Sequence, residues 1–215
     1  MSPETFADEY HVSRETLTRL LAYQALLGRW QQRINLVGPA TLEDFWSRHA
    51  ADSAQLLALA KDRRVWLDLG SGGGFPGLVV AIMLTETGGH VHLVESDGRK
   101  AAFLRTVIRE VGAPASVHNQ RAEGLADSEE VFLADVQAIS ARAVAPLPEL
   151  LELVAPFFNS STIALLHKGA GWQDELTRAE QCWNIDAEVH PSRTHDAARI
   201  LHLRHLSRRG GPPEW

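Results

Sequence analysis

The residues able to do chemistry in this chain gather around one glycine run. Trp66-Leu67-Asp68-Leu69-Gly70-Ser71-Gly72-Gly73-Gly74-Phe75-Pro76-Gly77 reads as a buried strand bearing an acid, then a tight turn, then a helix start. Glycine reaches positive φ at no steric cost and lets the backbone approach a ligand closely. Pro76 suits the first turn of a helix, where its missing N–H is not needed. Gly70, Gly72, Gly74 and Phe75 are therefore candidate contacts for a nucleotide-like cofactor. Four further positions follow apolar runs: Glu95, Arg121-Ala122-Glu123, Arg142 among small residues, and Lys168. A carboxylate such as Glu95 accepts hydrogen bonds from ribose hydroxyls. A backbone N–H at Ala122 and the Glu123 carboxylate suit an adenine edge. A guanidinium such as Arg142 recognises carboxylate, phosphate and planar bases, and Lys168 suits phosphate.

Two cofactor classes compete for the loop, and charge separates them. Gly72 to Gly77 satisfies G-x-G-x-x-G, the dinucleotide fingerprint. Gly70 to Gly74 satisfies G-x-G-x-G two residues after Asp68, the register of S-adenosylmethionine (SAM) enzymes. A pyrophosphate is anionic and wants bare N–H groups at a helix N-terminus, so a carboxylate at the strand end repels it. SAM presents a sulfonium and an ammonium, which a nearby carboxylate favours. Asp68 thus points to SAM and is expected to face it.

The elements that must position these groups alternate. Ser13 caps a predicted helix to about Gln32, and Thr41 with Asp44 resembles a capping box opening a second helix. Between them Ile34-Asn35-Leu36-Val37-Gly38-Pro39 reads as an extended piece. Strands are predicted at 65–69, 90–95, 115–118, 138–141 and 162–167, with helices at 77–84, 99–111, 147–158 and 172–183 between them. Two last strands fall at 187–190 and 200–206. Such alternation means a doubly wound, mostly parallel α/β sheet whose ligands sit at the carboxyl ends of the strands. The organisation expected is an N-terminal helical extension (1–60), a Rossmann-like core (61–207) and a frayed tail (208–215).

Composition narrows the class. The chain has 215 residues, 45% apolar and 22% charged, with formal net charge −6. That is an ordinary globular domain, and the acidity counts against avid nucleic-acid binding while leaving room for a local basic face. Arg29, Arg33, Arg48 and His49 on the N-terminal helices are the candidates for such a face. Arg48, His49, Asp52 and Ser53 share one polar side of a helix. The lone Cys182 excludes an internal disulfide framework, and no metal site is expected. No stretch reaches membrane-span length, and Met1-Ser2-Pro3-Glu4 is no signal peptide, so a cytoplasmic protein is expected.

Several motifs together resemble the RsmG (GidB) family of bacterial 16S ribosomal RNA methyltransferases, which make 7-methylguanosine in the small-subunit RNA. They are Asn35-Leu36, Arg48-His49 with Asp52-Ser53, the run from Asp68 to Gly77, and Glu95-Ser96 with Arg99-Lys100 and Phe103-Leu104. Arg121 with Glu123, Ala141-Arg142-Ala143 and Lys168-Gly169 complete the set, in the family's order over roughly residues 34 to 206. The resemblance implies a class I SAM-dependent methyltransferase fold. It makes Gly70, Phe75, Ala122, Glu123 and Arg142 cofactor contacts and Glu95 the ribose acceptor. Its substrate would be 16S rRNA or the small ribosomal subunit. Two departures stand out. Gln137 occupies a usually acidic position before strand four, and His167 a usually apolar one before Lys168.

The chemistry agrees with the resemblance. Guanine N7 carries a free lone pair and loses no proton on methylation, so its enzyme needs positioning rather than a base. Arg142 and Lys168 are the residues expected to position the reactants. The chain lacks an Asp/Asn-Pro-Pro-aromatic motif for adenine N6, and Cys182 is remote from strand four, where a cytosine-C5 nucleophile is expected. The alternatives are a SAM enzyme acting on another RNA, a protein or a small molecule, a non-enzymatic binding module that keeps a relic cofactor pocket, and a nicotinamide-dependent oxidoreductase. The last would need a Tyr-x-x-x-Lys pair. Tyr10 and Tyr23 are the only tyrosines, and neither has lysine four residues on.

Overall fold

Strand β1 (Val65–Leu69) has four of its five residues buried, the near-continuous apolar run of a strand covered on both faces. It pairs in parallel with β2 (His90–Val94) on one side and β4 (Ala138–Arg142) on the other. With β3 (Ala115–His118), β5 (Ile163–Lys168), β6 (Trp183–Pro191) and β7 (Arg199–Arg208) it builds a seven-stranded sheet of order β3-β2-β1-β4-β5-β7-β6. Strand β7 runs antiparallel to both neighbours. The computed structural model describes residues 1–38, 41–128 and 130–210. The direction in which strands are added reverses between β1 and β4, and in this class of fold a crevice opens there at the carboxyl ends.

Helix α4 (Gly77–Leu84) explains the N-terminal extension. Seven of its eight residues are buried, and a helix apolar all round must be covered all round. The sheet covers one side, and α2 (Arg14–Gln31) and α3 (Asp52–Leu59) cover the other. Leu20, Tyr23 and Leu27 form the buried stripe of α2, Ser13 caps it through Thr16 N, and the helix ends one residue from the expected limit. Tyr23 and Phe45 share one apolar cluster with Val79 and Phe103, so the core continues across residue 60. On the opposite face α6 (Ala122–Ala126), α7 (Leu147–Val154) and α8 (Trp172–Ala179) cover the second cluster, while α5 (Gly98–Val111) lies on the first.

Several boundaries depart from expectation. Helix α1 (Pro3–Tyr10), capped by Ser2 and anchored by buried Phe6, has too little periodicity to announce itself. The Thr41/Asp44 capping box does not form. The segment Phe45–Ala51 is a π-helix leading into α3, with no side-chain cap at Asp44. Pro76 precedes α4 instead of sitting in its first turn. Helix α8 stops at Ala179, and Trp183 begins β6, where Arg208 lies over its ring at 5.0 Å. Arg208 is therefore paired in β7 and is no part of a frayed tail. Residues 211–215 of that expected tail, and Pro39 of the extended piece, lie outside the described residues.

Candidate active site

The carboxyl ends of β1, β2, β4 and β5 open onto a cavity of about 610 Å³. The glycine loop forms one wall. Gly70, Gly72 and Gly74 have φ of +65°, +54° and +95°, conformations an L side chain rarely adopts. Gly74 is the tightest, since a Cβ there would lie 2.6 Å from both Leu78 and the Tyr23 hydroxyl. The Tyr23 hydroxyl donates to the Gly73 carbonyl, and burial pushes its pKa well up, which keeps it a donor. Gly73 lies so near the Leu36 carbonyl that a Cβ would reach 2.9 Å. Leu36 is held in turn by Gln31, whose Oε1 accepts from its N–H at 2.9 Å.

Glu95 borders the same wall. It is buried, and its Oε2 accepts from Gly72 N at 2.8 Å while Oε1 accepts from Asp97 N at 2.7 Å. An ionised carboxylate offers about four lone-pair positions, so each oxygen keeps capacity toward the cavity. A ribose diol fits that donor and acceptor pattern, and the open glycine backbone beside it fits a group that approaches closely.

Asp68 corrects the charge argument. It is fully buried beneath the loop and does not line the cavity. Oδ1 accepts from Ser140 at 2.6 Å, and Oδ2 has no hydrogen-bond partner among the described residues. Oδ2 lies against Gly77 at the start of α4, where a Cβ would come within 2.5 Å of it and 2.4 Å of Leu93. Burial raises the Asp68 pKa to about 6, against the opposing effect of the Ser140 hydrogen bond. Asp68 thus sits between Ser140 of β4 and the start of α4, set back from the cavity. Gly74 also faces away from the cavity, toward α2. Ala122 and the exposed Glu123 open helix α6 and lie outside the cavity wall.

The opposite wall is a polar network around Arg142. Ala143, just after it, takes a left-handed φ of +56° and turns the chain away at the end of β4. Arg142 Nη1 donates to Asp52 Oδ2 and to the Arg48 carbonyl, both at 3.0 Å, and Nη2 donates to His49 Nδ1 at 3.0 Å. A guanidinium can only donate, so His49 Nδ1 accepts and its proton sits on Nε2. That N–H meets Thr41 Oγ1 at 3.0 Å, and the threonine hydroxyl donates to the Gly38 carbonyl. His49 stacks on Phe75 with centroids 4.5 Å apart, and Arg142 lies 5.2 Å over the same ring. Burial and then Arg142 depress the His49 pKa to about 4. Buried and neutral, His49 belongs to the site and not to a phosphate-binding surface, contrary to the sequence reading. Arg48 is exposed at the cavity rim; Arg29 and Arg33 are exposed but do not line it.

Sequence reasoning missed much of this wall. Asp52 Oδ1 also accepts from Thr194 at 2.7 Å and Gln55 at 2.9 Å, and His167 Nε2 donates to the Asp52 carbonyl at 2.9 Å. The net effect of His167 and Arg142 is to lower the Asp52 pKa despite burial, which is the largest influence and opposes them. His167, a departure from the family's usual apolar residue, also lines the cavity. Lys168 is buried, with Nζ 2.6 Å from Glu175 Oε2 and 3.0 Å from the Ala145 carbonyl. Glu175 also accepts from Leu147 N at the start of α7. Gln137 settles the strand-four register: its Oε1 accepts from Arg64 N at 2.7 Å at the foot of β1, work an acid there would also do. Only the spacing of His49 and Asp52 hinted at the network; nothing local marks Thr194 or Glu175.

A family model described as rRNA small subunit methyltransferase G (GidB) matches residues 16–203. The chain belongs to the GidB family. Its relatives include "Ribosomal RNA small subunit methyltransferase G" of Parvibaculum lavamentivorans, 51% identical over 98% of this chain and 92% of that one. The protein of the same name from Rhodospirillum centenum is 53% identical over 95% and 91%. The GidB match begins inside α2 and ends inside β7, so both walls of the cavity fall within it. Solved structures share the fold at low identity. An O-methyltransferase from Bacillus cereus in complex with SAH aligns with TM-score 0.58 and 14% identity over 86% of this chain and 90% of that one. A mutant of MtNAS in complex with S-adenosylmethionine aligns with TM-score 0.58 and 15% identity over 94% and 83%. The fold is thus the Rossmann-like one expected.

Proposed function

We propose that this protein transfers a methyl group from SAM to N7 of a guanosine in bacterial 16S ribosomal RNA. The observation that carries the reading is the meeting of the glycine loop, Glu95 and Arg142 on one cavity in a member of the GidB family. Gly70, Gly72 and Phe75 would hold the cofactor beside Glu95, whose free lone pairs suit ribose hydroxyls. When bound, SAM supplies the electrophilic methyl group. Ala122 and Glu123 would serve only an adenine that projects beyond the cavity.

The chain's own residues supply position. Arg142 commits three of its five N–H donors to Asp52, Arg48 and His49, leaving two for a substrate acceptor such as guanine O6. Lys168 is tied to Glu175 and shapes the floor. The cavity's polar side chains favour a base-free reaction. The His49 lone pair is turned on Arg142, Asp52 and Glu175 are ion-paired, Glu95 holds two backbone N–H groups, and the Nδ1 of His167 is buried out of reach of the cavity. A target that loses no proton suits such a site.

Calorimetric titration should show binding of SAM and of its product S-adenosylhomocysteine, and none of NAD. Methyl transfer should then be assayed on naked 16S RNA and intact small subunits, with guanosine or 7-deazaguanosine in the RNA. Methylation of the guanosine RNA alone is expected. Transfer to 7-deaza RNA, which lacks the N7 lone pair, overturns the N7 assignment. Transfer to protein or small molecules and never to RNA overturns the substrate.

A further inference from the structure

Strands β6 and β7 carry a group of side chains that the cavity does not use. Glu188 and His190 alternate onto one face of β6, and His202 of β7 stands opposite Glu188 in the antiparallel register. Residues two apart and cross-strand partners share a face. A ring nitrogen from each histidine and a carboxylate oxygen lie within 4.8 Å of one another. His202 is only 7% exposed. Its Nε2 and that of His190 are buried and have no hydrogen-bond partner among the described residues. Buried polar atoms normally find a partner, and a lone one calls for an explanation. Glu188 divides its two oxygens: Oε1 lies 3.5 Å from His190 Nε2, and Oε2 pairs with Arg204. Arg204 is the extra residue of a β-bulge at Asp186/Ala187 and shares the His202 face; bulges commonly re-aim side chains in this way.

We propose that Glu188, His190 and His202 bind one divalent transition ion of the zinc class, with water completing its shell. Two imidazoles and one carboxylate suit zinc, cobalt or nickel, whereas magnesium and calcium prefer oxygen alone. Glu188 would ligate through Oε1, and Arg204 on Oε2 would orient the carboxylate as an outer partner. The same guanidinium tempers the affinity. The bound ion would clip edge strand β6 to β7.

The test uses the untagged full chain, stripped with chelator and titrated with cobalt chloride. One equivalent should bind with visible d–d absorption and no thiolate charge-transfer band, and zinc should displace it. Zinc at about a hundredfold excess over its Kd should raise Tm by about 5 °C or more. His190→Gln and Glu188→Gln, at the less buried positions, should abolish both effects. His92→Gln, in a separate histidine group on β2, should leave them intact. No binding, binding that survives both β6 substitutions, or a thiolate band from Cys182 overturns the proposal.

Discussion

The two walls of the cavity are built on opposite plans. The loop wall is one short stretch, Gly70 to Gly73 with Phe75, shaped by backbone angles and by close contact with what lies beneath. The Arg142 wall is six side chains from five separated stretches: Thr41, His49 and Asp52, Arg142, His167, and Thr194. The first has no room for a Cβ at Gly70 or Gly73; the second depends on each partner finding the others. A loop of this kind is fixed by local sterics, so damage to it should be structural. A network of this kind is fixed by tertiary assembly, so damage to it should fall on reactant position while the loop survives.

The largest effect should come from the loop side. Gly77→Ala places a methyl group against Asp68 and Leu93 and should destabilise the fold by roughly 3 kcal/mol or more. Urea unfolding would check it, and SAM affinity should fall with stability. Asp52→Asn should do the opposite. It leaves Arg142 without its ion partner, at about 2 kcal/mol of stability. Turnover should drop about tenfold or more while SAM affinity stays within about threefold. Equal losses of both would show that the walls are not separable.

His49 in the Arg142 wall and Asp68 beneath the loop should also titrate in opposite directions. His49 has its folded pKa depressed to about 4 from 6.5. The unfolded chain therefore binds more protons between those values, and the His49 contribution is lost as pH falls from about 6.5 to 4. Asp68 has its folded pKa raised from 3.8 to about 6. Its contribution is full below 3.8 and is lost as pH rises through about 6. In Tm measured from pH 4 to 7, His49→Gln should flatten the acid-side fall, and Asp68→Asn should steepen it. His92, also depressed to about 4, remains in both variants and cancels. Identical slopes in the two variants would refute the contrast.

The smallest effect concerns the rim. Arg48→Glu should weaken RNA binding several-fold and reduce the salt slope by about one counterion, because its exposed side chain borders the cavity. Arg29→Glu and Arg33→Glu, away from the cavity, should do less. Filter binding at several salt concentrations would rank them.

The loop wall was legible in the sequence because its information is local. Positive φ selects glycine one position at a time, and the strand–turn–helix pattern around it needs no distant partner. Strands β1 and β3 and helix α4 fall where alternation puts them for the same reason. The Arg142 wall was legible only in its pieces. Arg48, His49, Asp52 and Arg142 could be singled out, yet a sequence does not say that Asp52 meets Thr194 across 142 positions. The reading of Asp68 failed in an instructive way. Its place at a strand end suited a cofactor's charge equally well, but the side chain alternates inward, where Ser140 and α4 hold it. The π-helix at Phe45–Ala51 escaped because Thr41 and Asp44 imitate a cap, while Thr41 instead takes the His49 N–H.

The bond from the Tyr23 hydroxyl to the Gly73 carbonyl has a consequence for the order in which the chain is made. A ribosome delivers α2 and the π-helical segment before the strands of the sheet. Tyr23, Phe45 and Leu20 then have no sheet to lie against, and their apolar faces stay open until α4 and α5 follow. The glycine loop in turn cannot take its final shape without the segment born first. Helices emerging early must wait, and the loop arriving later closes on them. A chain stalled near residue 60 would expose a sticky helical pair, the form most in need of a chaperone.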